Sequence, residues 1–318
     1  MSSPIPAWAT IALPSLAYGL WHFAESTLDD ATSRIDAALD AGITLMDTAD
    51  IYGYDSSDPA TLGASEALLG RVLAASPSRR DRMILATKGG IRPGVPYDSS
   101  AAHLTGACEA SLRRLGVDHV DLYQVHRPDH LTHPEALADA LAALVDRGLT
   151  RGVGVSNYSG SKTLALAALL AERDVRLASQ QPELSALHLD PLDDGVLDVS
   201  QQLKLALLAY SPLAGGRLAE AAHDDPQVGP LVACLDRQAD EHGVSRSAIA
   251  LAWLMQIPAA TIPIIGTRQL GHLVECAAAI GLELPRSAWH EILVAARQAS
   301  TRPERPERPV AVGDHTLP

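Results

Sequence analysis

The chain has 318 residues, 47% of them hydrophobic, with a formal net charge of −13. That is enough to bury two ordinary domains or one large α/β barrel, and the acidic balance, without a basic patch interleaved with aromatics, excludes nucleic acid as the expected partner. The three cysteines (Cys108, Cys234, Cys276) are far apart and make no C-x-x-C, which argues against a disulfide framework and a thiolate metal site.

In chain order, the opening "MSSPIPAWATIALPSLAYGL" has no positive region of the kind that begins a signal peptide. No apolar run is long enough to span a bilayer, so a cytoplasmic chain with no membrane partner is expected. Short aliphatic runs then alternate with longer helical patterns. Strands are expected at 16–21, 42–47, 82–88, 120–126, 150–156, 177–181, 204–210 and 261–266. Helices are expected at 29–41, 64–75, 101–115, 134–147, 160–173, and twice within 226–256. Gly42, Gly116 and Gly148 fall where helices should end, and Ser65-Glu66 suits a helix start. Residues 302–318 repeat Arg-Pro-Glu and read as an extended or disordered tail, leaving 1–301 as one domain.

Eight strands separated by helices require parallel pairing, because parallel strands need long crossovers. The runs are almost wholly apolar, as strands buried on both faces are. Eight such units in roughly 250 residues is the count of a (β/α)₈ TIM barrel. A doubly wound sheet is the alternative architecture.

In a barrel the chemistry belongs at the C-terminal strand ends. There the second strand delivers Asp47, with Tyr52 five residues on, and the third delivers Lys88. The fourth ends at His126, the fifth at Ser156 and Asn157, the sixth at Gln180 and Gln181, the seventh at Tyr210 and the eighth at Gly266. Asp, Tyr, Lys and His together suggest proton transfer by a tyrosine. A phenol titrates near pH 10 and serves at neutral pH only if that value is brought down. An ammonium at Lys88 would do so, Asp47 would hold the ammonium, and His126 would bond a substrate oxygen or pass a proton to Tyr52. With no metal motif in view, reversible carbonyl reduction is the expected reaction, with hydride from a cofactor and the proton from Tyr52. Trp21 and Tyr54 would line a pocket for a small-molecule aldehyde or ketone with an apolar body.

The segments "DTADIY", "ATKGG", "YQVHRPD", "GVSNY" and "AYSPLAGGRL" resemble, in order and spacing, the signatures of the aldo-keto reductases. The bacterial oxidoreductase branch is the most similar, and the resemblance runs from about Ala17 to about Leu282. It implies a metal-free barrel using NADPH, with NADH possible, and with Tyr52 as acid/base supported by Asp47, Lys88 and His126. It further implies that Ser156, Asn157 and Gln181 hold the carboxamide and that Tyr210 stacks on the nicotinamide. Ser211, Leu213, Gly215, Gly216 and Arg217 would wrap the pyrophosphate. Gly266, Thr267, Arg268, His272 and Glu275 would approach the adenosine, with Arg268 facing a 2′-phosphate. This chain carries Glu275-Cys276 where many members have Glu-Asn, and His272 where Gln is common.

Two decoys sit in the sequence. "HRPDHLTH" gathers His126, His130 and His133, but across a proline loop and not along one helix face, so no metal is expected. "GVGVSN" begins like a dinucleotide fingerprint but lies within a strand and ends at Asn157. A monomer or weak homo-oligomer is expected. A nicotinamide-binding regulatory subunit with little turnover, and a metal-dependent barrel hydrolase, are the alternatives.

Overall fold

Local chemistry starts and stops the helices where the patterns place them. Thr27 Oγ1 accepts from Asp30 N (3.2 Å), Ser100 Oγ from His103 N (3.3 Å) and Ser245 Oγ from Ala248 N (3.2 Å), each satisfying a donor that a helix start leaves open. Gly42, Gly116 and Gly148 take left-handed φ values of 80°, 67° and 69° just past three helix ends. One start differs from expectation. Gly63, at φ 74°, precedes the helix beginning at Ala64, so Ser65 stands inside the first turn.

A computed structural model describes residues 12–219 and 226–300. In chain order it contains β1 (Ala17–Gly19), α1 (Leu28–Asp40), β2 (Leu45–Asp47), α2 (Ala64–Ala75), α3 (Ser78–Asp81) and β3 (Ile84–Gly89). A hairpin of β4 (Ile91–Arg92) and β5 (Val95–Tyr97) follows, then α4 (Ala101–Leu115), β6 (Val120–Val125), α5 (Pro134–Asp146), β7 (Thr150–Ser156) and α6 (Gly160–Ala171). The last third holds β8 (Leu177–Gln181), α7 (Asp190–Asp193), α8 (Val196–Leu203), β9 (Ala206–Ala209), α9 (Gly229–His242), α10 (Arg246–Met255), β10 (Thr261–Ile265), α11 (Leu270–Ala277) and α12 (Arg286–Ser300). The proline-rich tail lies outside the described residues.

Eight strands close a parallel barrel in the order β1-β10-β9-β8-β7-β6-β3-β2. All eight expected strands are present. The β4–β5 hairpin, α3, α7, α8, α11 and α12 are additions that the sequence patterns did not announce. Ala17, Leu45, Ile84, Ala86, Leu122, Leu208 and their neighbours fill the barrel interior. A larger apolar layer lies between strands and helices, including Leu85, Val125, Leu141 and Val155. Side chains alternate along a strand, so the residue two beyond an interior position faces inward as well. Asp47 follows Leu45, Lys88 follows Ala86, and Gln124 follows Leu122, which stacks three polar groups above the apolar floor.

On β8 the alternation is reset. Val153 pairs with Leu177, but Gly154 pairs with Ser179, so Ala178 is one extra residue. A one-residue shift exchanges the faces of everything beyond it. Gln181 therefore turns toward Asp47, while Gln180 bonds Thr163 and the Tyr158 carbonyl on the helix side.

Candidate active site

The expected four residues meet at one end of the barrel. Lys88 Nζ lies 2.6 Å from Asp47 Oδ2 and donates to the Thr48 carbonyl at 2.9 Å. Its side chain has no solvent exposure and that of Asp47 has 3%. The same ammonium stands 4.8 Å from the centroid of the Tyr52 ring. The His126 ring meets the Tyr52 ring edge-on, with centroids 5.8 Å apart. Asp47 Oδ1 accepts from Gln181 Nε2 (3.0 Å) and Gln124 Nε2 (3.4 Å), and Gln124 Oε1 accepts from Ser179 Oγ (3.1 Å). Both carboxylate oxygens are thus engaged, and one of them holds the lysine.

The electrostatics correct one expectation. Burial raises the Tyr52 phenol above its ordinary value; Lys88 opposes this and Asp47 adds to it, and the net direction is upward. The phenol is therefore held protonated at neutral pH. Lys88 limits the rise without reversing it. For Lys88, burial favours the neutral amine, but the Asp47 carboxylate and then Tyr52 outweigh it, so its pKa is raised and it stays an ammonium. Burial, with Lys88 and Arg127 adding to it, pushes His126 well below its usual range. His126 is therefore a neutral imidazole, and among the described residues its buried Nδ1 has no hydrogen-bond partner.

Of the expected cofactor residues, Ser156, Asn157, Gln181 and Tyr210 form a hydrogen-bonded strip beside this group. Asn157, left-handed at φ 60°, donates from Nδ2 to the His126 carbonyl (3.0 Å) and to Ser156 Oγ (3.0 Å). Its Oδ1 accepts from the Tyr210 hydroxyl at 3.0 Å, and Ser156 Oγ donates to the Gln181 carbonyl at 2.8 Å. Burial pushes the Tyr210 phenol up to about 12. Beyond Tyr210 the backbone runs through left-handed Ser211, Ala214, Gly215 and Gly216. Among the described residues nothing outside the immediate chain neighbours lies within 4 Å of where a Cβ of Gly215 or Gly216 would stand. Left-handed backbone with that clearance suits the close approach of a phosphate to main-chain N–H groups. On the loop after β10, the Thr267 carbonyl accepts from Tyr18 Oη at 2.9 Å. Arg268 is ion-paired with Glu25 from the β1 loop. His272 is half-buried and Glu275 exposed on α11, where Cys276 points into the core.

The two expected substrate residues diverge. Trp21 is 59% exposed at the end of β1, with its ring 4.6 Å from that of His22. Tyr54 instead turns toward α4 and the β4–β5 hairpin. There it lines a cleft of about 350 Å³ with Asp50, Ile91, Pro93 and His103.

The decoys come apart. His126 faces Tyr52, His130 Nδ1 lies 3.4 Å from Lys162 Nζ, and His133 Nδ1 accepts from Glu135 N as the cap of α5. Among the described residues no three His, Cys, Asp or Glu side chains are grouped to hold a metal. The "GVGVSN" segment is β7 and its turn. Sequence reasoning missed Gln124 and Arg127. Gln124 was recoverable from its place two residues before His126, and Arg127 as the charge directly after His126.

Residues 15–295 match the Aldo/keto reductase family. That is most of the chain, and the chain belongs to this family. Among curated proteins it is 47% identical over 291 residues to the 6-dehydroglucose reductase of Novosphingobium aromaticivorans, covering 90% of this chain and 93% of that one. It is 36% identical to the 6-dehydroglucose reductase of Agrobacterium fabrum, covering 89% and 94%. It is 31% identical to the L-glyceraldehyde 3-phosphate reductase of Escherichia coli, covering 83% of each. No helix among the described residues is long and apolar enough to cross a membrane.

Proposed function

We propose that the chain reduces a small aldehyde or ketone at the barrel mouth, with Tyr52 giving the proton to the carbonyl oxygen. The observation that carries this reading is the buried Asp47–Lys88 pair set against the Tyr52 ring. A buried ion pair costs desolvation and is seldom the most stable solution for a core. Its position against a protonated phenol gives it a reason to be there. As the carbonyl oxygen gains negative charge, the phenol proton moves to it. Lys88 then stabilises the phenolate left behind. Neutral His126 can hydrogen-bond the same oxygen and help orient the carbonyl.

Aldo-keto reductases use nicotinamide cofactors, and the set of residues from Ser156 to Glu275 suits one. NADPH, with NADH as the alternative, would supply the hydride when bound. Ser156, Asn157 and Gln181 would hold its carboxamide and Tyr210 would stack on its ring. The open backbone at Gly215 and Gly216, with Ser211, Leu213 and Arg217, would take the pyrophosphate. Gly266, Thr267, His272 and Glu275 would take the adenosine, and Arg268 would release Glu25 to meet a 2′-phosphate. The names of the relatives make a sugar-derived aldehyde the first substrate to try.

Quenching of tryptophan fluorescence during titration with NADPH and then NADH tests the cofactor. Loss of NADPH on adding an aldehyde panel tests the reaction. Saturable binding with aldehyde-dependent oxidation supports the reading. Binding without turnover would point to a regulatory subunit, and absence of binding would remove the reading altogether.

A further inference from the structure

Arg127 follows His126 directly in the connection from β6 to α5, and the roles above leave it unused. It is partly buried, and among the described residues its Nε, shielded from solvent, has no hydrogen-bond partner. It donates a hydrogen bond to the Tyr210 hydroxyl, and its charge also acts on Tyr52 and on His126, which it directly follows in the chain. Arg79, Arg80, Arg114 and Arg246 each hold a carboxylate. Among the described residues no carboxylate pairs with Arg127.

A partly desolvated guanidinium without a counter-ion is unfavourable unless a ligand completes it. Its planar fork matches pairs of oxygen acceptors. At this position the acceptors it can reach belong to whatever carbonyl compound lies against Tyr52 and His126. An alkyl chain there would offer the guanidinium no acceptor beyond the Tyr210 hydroxyl. A hydroxyl or an oxyanion next to the carbonyl would satisfy it.

We propose that Arg127 is a specificity-determining residue that donates hydrogen bonds to oxygen atoms on the carbon next to the substrate carbonyl. The preferred substrates are then hydroxyaldehydes and their oxyanionic counterparts, in place of the apolar-bodied carbonyls that the aromatic residues suggested. This rests on the reductase reading.

The test compares glycolaldehyde, propanal and glyoxylate as substrates of the full chain with NADPH. Glycolaldehyde and propanal are near-isosteres that differ by a hydroxyl for a methyl. The wild type should prefer glycolaldehyde and glyoxylate to propanal in kcat/KM. Arg127→Met should lower kcat/KM for the two oxygenated substrates by about 10- to 100-fold, mainly through KM, the usual size for a hydrogen bond from a charged group. Propanal should change by less than about threefold, the NADPH affinity read by fluorescence should hold, and Arg127→Lys should recover part of the loss. A larger effect on glyoxylate identifies an oxyanion as the natural acceptor, and a larger effect on glycolaldehyde identifies a hydroxyl. Equal loss on all three substrates, or no loss on any, overturns the proposal while leaving the reductase reading intact. A wild type that binds NADPH but reduces none of the three overturns both.

Discussion

Lys88 and Asp47 form a fully enclosed ion pair, Nζ to Oδ2 at 2.6 Å, at the point where β2 and β3 leave the apolar floor of the barrel. The second oxygen of Asp47 is held by Gln181 and Gln124, so the carboxylate cannot swing away from the ammonium. The pair fixes the Lys88 ammonium against a phenol, with Asp47 kept in place from both sides.

Removing one partner should therefore cost more than the pair is worth. Asp47→Asn leaves a buried ammonium without a counter-ion, for which the expected loss of stability is roughly 3–5 kcal/mol. Lys88 would respond by losing its proton, and carbonyl reduction should fall with it. Chemical denaturation of the variant checks the first part, and its turnover in buffers of rising pH checks the second. A variant as stable as the wild type would show that the pair is solvated in solution.

The imidazole of His126 sets a pH dependence of stability. In the unfolded chain a histidine titrates near 6.5, and in the fold burial, Lys88 and Arg127 hold His126 well below that. The unfolded state thus binds the proton first as pH falls. The stability this group contributes is fully present above about pH 6.5 and is lost as pH falls toward its depressed value, at up to about 1.4 kcal/mol per pH unit. His103 and His119 are lowered too, chiefly by burial, and add in the same direction. The melting temperature should fall between pH 7 and pH 5, and the fall should be shallower in His126→Gln. Parallel curves for the two proteins would contradict the assignment.

Gly70 lies inside α2, where alanine is ordinarily favoured by about 1 kcal/mol. Here a Cβ would stand 2.1 Å from the Arg114 carbonyl oxygen on α4, a backbone atom that cannot step aside. Gly70→Ala should therefore destabilise, with an overpacking cost of about 1–3 kcal/mol exceeding the gain in propensity. A higher melting temperature in that variant would mean that α2 and α4 are farther apart than described.

Much of this was legible from the chain because barrel strands buried on both faces read as plain apolar runs, and their polar exits stand out. Asp47, Lys88 and His126 could be placed that way. The β8 bulge could not, because choosing Gln181 over Gln180 depends on one extra residue in a strand pair far apart in sequence. The Tyr52 pKa went the other way for a similar reason. Spacing shows that a lysine is near, but only packing shows how little water reaches the phenol. The late helix α12 was hidden because its anchor is tertiary. Trp253 and Trp289 stack at 5.2 Å, and each indole N–H donates to the other's backbone carbonyl.

The central claim is that Tyr52 supplies the proton, and Tyr52→Phe tests it most directly. The substitution removes one oxygen and keeps the ring against Lys88 and His126. NADPH binding should survive, while the rate of carbonyl reduction should drop by about 10²- to 10⁴-fold. Since burial keeps the phenol protonated, the wild-type rate should stay level through neutral pH and decline only as pH rises past the raised pKa of Tyr52. A Phe variant that reduces the aldehyde at the wild-type rate, with cofactor affinity unchanged, would assign the proton to another group and contradict the account.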